Sequence, residues 1–95
     1  MRFIDKIIKG EDAFLAYMAK FRPGIHIDRL ENIYHAGDVT IEHISEIPPG
    51  GYPQDYYWLR MESRDPGKGY FDGQLNNRRH EIYEGIRTGR ITGEL

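Results

Sequence analysis

The sequence contains no cysteine, which removes disulfides, thiol nucleophiles, Cys-ligated zinc and Cys-ligated iron–sulfur clusters in one step. It lacks any apolar run near the roughly 18 residues that a membrane-spanning helix needs, so a transmembrane protein is excluded and no membrane partner is expected. A marked excess of one charge sign is missing too. The 13 Lys and Arg stand against 15 Asp and Glu, net −2, and no bulk field draws in nucleic acid or anionic lipid. Near the N-terminus, Asp5 and Lys6 interrupt the apolar residues Phe3, Ile4, Ile7 and Ile8. A signal peptide needs an unbroken run of about 7–15 residues, so a cytoplasmic protein is expected.

What is present suffices for one core. The 95 residues are 39% hydrophobic and 13% aromatic, the proportions of a single small domain spanning residues 1–95. Phe3, Ile4, Ile7, Ile8, Phe14, Leu15, Met18 and Phe21 recur at helical spacing, so residues 1–22 read as helical. Gly10 divides them into a short first segment and a helix over about 11–21, with one continuous helix as the alternative. Arg22-Pro23-Gly24 stops it, because the residue before proline avoids helical backbone angles.

The middle of the chain changes period. Residues 30–35 and 39–44 read as a hairpin around Ala36-Gly37-Asp38. Pairing His35 with Val39 would set Ile33, Val39 and Ile41 on the core face, and a slip of one residue would exchange the sets on one strand. Residues 48–53, Pro-Pro-Gly-Gly-Tyr-Pro, read as an ordered surface loop. An aromatic strand over 55–63 follows, then a turn at Asp65–Gly69 and a short returning strand from Tyr70-Phe71. Asp72 is a candidate N-cap for a last helix whose stripe is Leu75, Arg79, Ile82, Tyr83 and Ile86. Gly89 would end this helix, and the tail from Arg90 is expected to fray. The expected fold is α+β: a small antiparallel sheet of three to four strands flanked by N-terminal and C-terminal helices, both packed on one face.

No catalytic constellation stands out. His80 and Glu84 have the i, i+4 spacing of two metal ligands, but a helical zinc-protease motif needs a second histidine where Glu84 stands. A metal would need a third ligand such as His43 or His35, and an exposed surface pair accounts for the spacing equally well. His43 would face Glu31 across the hairpin without a nucleophile nearby. The glycines at 50–51 and 67–69 precede aromatic residues rather than a helix, which makes them turn glycines and not phosphate loops. No cofactor is expected.

The second half is richest in recognition chemistry. Strand alternation puts Tyr56, Trp58 and Arg60 on one face and Tyr57, Leu59 and Met61 on the other. If Leu59 and Met61 mark the core, the first row is exposed unless the terminal helices cover it. An exposed Tyr–Trp–Arg row is the composition of a protein-binding hot spot, with Arg64, Arg78 and Arg79 at its rim. It is also a platform for unpaired bases. From residue 50 onward the cations Arg60, Arg64, Lys68, Arg78, Arg79, Arg87 and Arg90 are matched by Asp55, Glu62, Asp65, Asp72, Glu81, Glu84 and Glu94. Nucleic-acid binding calls for a cationic excess, so the balance favours protein. The expectation is a small non-enzymatic regulator, adaptor or inhibitor that binds a larger protein. A single-stranded nucleic-acid binder and a metal-dependent enzyme using His80 and Glu84 are the alternatives. The same row would serve equally as a homodimer seam.

Overall fold

A computed structural model describes residues 4–61 and 72–93. It contains the strands β1 (Asp5–Lys9), β2 (Asp28–Leu30), β3 (Ile33–Ala36), β4 (Val39–Glu46) and β5 (Gln54–Arg60). Helix α1 (Glu11–Phe21) joins β1 to β2, and α2 (Asp72–Thr88) follows β5. The strands form one antiparallel sheet in the order β1-β5-β4-β3-β2. The class is α+β, with five strands where three or four were expected. The expected turn at 65–69 and the strand at Tyr70-Phe71 lie outside the described residues, as does the capping side chain of Asp72.

One strand that was not expected is β1, where the spacing had suggested a helical segment. Its pairing with β5 sets Ile8 opposite Tyr57 and Ile7 opposite Trp58. Successive side chains of a strand point to opposite faces, and both faces here meet apolar neighbours, so the alternation that marks a strand is absent. The helix beyond Gly10 has the expected bounds.

Two turns reset the hairpin register. Ala36 pairs with Val39 and His35 with Thr40, leaving a two-residue turn at Gly37-Asp38 in which Gly37 takes φ 63°. Tyr34, Ala36, Val39 and Ile41 therefore share one face, and Ile33 falls on the other with His35 and Glu42. A second turn at Glu31-Asn32 splits the expected strand 30–35 into β2 and β3, so Glu31 does not face His43. His43 instead pairs with Tyr57.

Both faces of the sheet are core. Under α1, Phe14 and Met18 pack with Ile8, Ala36, Val39, Ile41, Tyr57 and Leu59. Phe14 lies flat on Tyr57 at 4.4 Å between ring centres, and Tyr34 meets both rings edge-on. Under α2, Leu75, Ile82 and Ile86 pack on Ile44, Tyr56 and Trp58. The helices thus cover opposite faces rather than one. The reason is β5, which runs between β1 and β4 and is apolar on both sides, so a single layer of helices would leave half of it wet.

The C-terminal segment is docked through Gly93 rather than frayed. Ile91 joins the core under α2 and donates its N–H to the Gly85 carbonyl at 3.0 Å. Gly85 makes room for it, since a Cβ there would lie 2.5 Å from Ile91 Cδ1. The Gly93 carbonyl then accepts the Lys9 N–H at 2.6 Å.

Candidate functional site

The expected recognition row is inside the protein. Tyr56 is 1% exposed, Trp58 0% and Arg60 2%, all sealed beneath α2. This corrects the expectation of an open Tyr–Trp–Arg surface: the C-terminal helix covers that face. Rings without an open face cannot stack on bases, which also removes the basis of the nucleic-acid alternative. Arg78 and Arg79 do gather with Trp58 and Arg60, but as the inner rim of α2, half-buried against the sheet. Arg64 lies outside the described residues.

Two carboxylates organise this interface. Glu42 of β4, 2% exposed, accepts Arg60 Nη1 at 3.0 Å, Arg79 Nε at 3.0 Å and Arg79 Nη2 at 2.9 Å, and the Tyr83 hydroxyl donates to it at 3.3 Å. Asp5 of β1 accepts Trp58 Nε1 at 2.8 Å and Arg78 Nε at 2.9 Å. The Arg60 guanidinium lies 4.3 Å from the Trp58 ring centre and that of Arg79 5.9 Å, so the indole is flanked by cations. Burial alone would raise the Glu42 pKa, yet the hydrogen bonds and charge of Arg79, with those of Arg60, hold it below its ordinary value. Burial, followed by the neighbouring Glu42 carboxylate, raises the Tyr83 hydroxyl. Such a network fixes the seating of α2, because each carboxylate joins a strand to the helix. Neither role was legible: alternation sets Glu42 opposite the apolar set of its strand, Asp5 precedes Lys6 at the start of β1, and only the roof above the strand reveals what each does.

The histidines are dispersed. His43 Nε2 lies 2.9 Å from Asp55 Oδ1, and its ring stacks on Tyr57 at 5.0 Å. Burial, then the charges of nearby residues, pushes the Tyr57 hydroxyl up to about 12. Ser45 lies opposite Asp55 on the same face, but its hydroxyl makes no hydrogen bond to the imidazole, whose Nε2 is already engaged. A carboxylate-oriented imidazole can exchange a proton; among the described residues no hydroxyl is hydrogen-bonded to it. Glu84 pairs with Arg87 at 2.9 Å rather than with His80. His26 pairs with Asp28 at 2.8 Å on the surface. No three His, Asp or Glu side chains converge on a metal position among the described residues.

Exposed apolar groups lie elsewhere. The loop between β4 and β5 presents Ile47 at 51% and Tyr52 at 76% exposure. Gly51 N–H reaches the Pro48 carbonyl at 3.2 Å, and the Pro49 ring rests against Gly89, where a Cβ would meet it at 3.1 Å. Proline and a local hydrogen bond brace the loop while leaving its two large side chains in water. Leu30 on β2 and Leu15 on α1 are the other large exposed hydrophobics among the described residues, but only this loop carries two. Beside α1, a groove of about 190 Å³ is lined by Leu15, Met18, Arg22, Ile25 and Ile27. That is below the roughly 300–1,000 Å³ of ordinary small-molecule sites. Comparison with known protein families, curated proteins and solved structures finds no match to this chain.

Proposed function

We propose that this chain is a non-enzymatic, cytoplasmic interaction protein, a regulator, adaptor or inhibitor, that docks on a larger protein through its β4–β5 loop. The observation that carries the reading is the exposure of Tyr52 at 76% and Ile47 at 51% on a proline-braced turn. Aromatic anchors dominate binding energy at protein interfaces, and a loop already held in shape loses less conformational freedom on docking. Tyr56, Trp58 and Arg60 act behind this surface, by fixing the sheet from which the loop projects. No cofactor enters this reading.

The test compares the wild type with an Ile47→Asp/Tyr52→Ala double variant, each immobilised and exposed to host lysate, with retained proteins quantified by mass spectrometry. The expected outcome is a small set of proteins held by the wild type and lost from the variant, with both chains equally folded. Identical retained sets would remove the loop from the contact.

A further inference from the structure

Among the described residues β1 is an edge strand of the sheet, with Ile7 at its middle. Gly10 donates its N–H inward to Asp55, while Lys9 donates outward to Gly93. Alternation along the strand therefore aims the N–H and C=O of Ile7 outward too, and they carry no hydrogen bond to any described residue. Such an edge is a template for another strand.

Laid antiparallel on a second copy about Ile7, β1 sets Ile7 opposite Ile7, Asp5 opposite Lys9 and Lys6 opposite Ile8. A two-fold axis perpendicular to the sheet, midway between the two copies of Ile7, keeps the faces of two copies aligned, so opposed residues share a face. Ile7 then meets Ile7 of the second copy in a doubly hydrogen-bonded pair. At each end the exposed Lys9 meets Asp5 of the other copy, whose carboxylate lies at the edge of the Trp58–Arg78 cluster. At the opposite edge, β2 is only three residues long, and centring an axis on Asp28 or Arg29 would oppose like charges.

Gly93 of the same chain occupies one end of this template. Gly93 sits at the Lys9 N–H with φ 67°, and a Cβ there would lie 3.0 Å from the Lys9 nitrogen. Ile91, seated on Gly85, holds the segment in place. We propose that the outer edge of β1 is a self-association site for β1 of a second copy, and that residues 91–93 guard it by occupying the position the incoming strand needs. Release of the guard frees the Lys9 N–H for the second copy and completes the ladder on both sides of Ile7.

The test uses the full-length chain. An Ile91→Asp/Gly93→Val variant loses both holds on the edge, and light scattering should show its mass doubling while its circular dichroism stays native. Adding Ile7→Pro should return the variant to monomer without disturbing the β1–β5 ladder, because the Ile7 N–H points outward. Lys9→Asp should do the same by setting like charges opposite. A folded variant of monomer mass, or a dimer indifferent to Ile7→Pro and Lys9→Asp, would overturn the proposal. A second measurement reads the same edge. Hydrogen exchange at the Ile7 amide of the Ile91→Asp/Gly93→Val variant should slow as concentration rises, while the β2 amides stay unchanged, and a rate independent of concentration also defeats the proposal.

Discussion

Glu42 concentrates the electrostatics of the molecule in one side chain. It is buried with Arg60, so removing its charge leaves a guanidinium in a dry site. Breaking one partner of a buried pair costs about 3–5 kcal/mol. Glu42→Gln should therefore destabilise the chain by about 3 kcal/mol in urea titration at neutral pH. Its folded pKa lies below the ordinary 4.5, so the folded state takes up this proton less readily than the unfolded chain. The stabilisation is present above 4.5 and is lost as pH falls through the lower folded value. The gap between wild type and Glu42→Gln should accordingly narrow in acid, and a gap constant down to the acid limb would contradict the assignment. None of this was legible in Val39-Thr40-Ile41-Glu42, where alternation places Glu42 opposite the apolar set and so seemingly in water.

Among the elements, the two helices were legible and β1 was not, for one physical reason. The stripes of α1 and α2 face a single neighbour each and leave a polar side, so the 3.6-residue period survives in the sequence. β1 is squeezed between two cores and lost its period of two. The seat of Ile91 on Gly85 is an element-level device open to a double-mutant cycle. Alanine in place of a helical glycine ordinarily gains about 1 kcal/mol. Here Gly85→Ala should instead destabilise by about 1 kcal/mol, because its Cβ overpacks against Ile91. In an Ile91→Ala background the same change should become stabilising. Thermal denaturation of the four chains measures the coupling, expected to exceed about 0.5 kcal/mol, and additive effects would mean the tail is not seated this way.

At the scale of the whole molecule, the sheet divides two cores rather than bordering one. Residue alternation told which of Tyr56, Tyr57, Trp58, Leu59 and Arg60 share a face; it said nothing of what covers each face. That depended on where α2 came to rest, through contacts far apart in sequence such as Arg78 with Asp5 and Arg79 with Glu42. Tyr57→Ala and Trp58→Ala should therefore each lose about 3–5 kcal/mol of stability, although they face opposite ways. Tyr52→Ala on the open loop should stay within about 0.5 kcal/mol. Chemical denaturation of the three variants checks the contrast, and a mild Trp58→Ala would mean that α2 does not close over it.

Trp58 is also the only indole in the chain, fully enclosed, with cations on its ring and its N–H given to Asp5. The protein is thus its own optical gauge of whether α2 is seated. Iodide should fail to quench the native emission, and any event that lifts α2 from the sheet should register at once as a red shift and sudden access for the quencher, without an added dye.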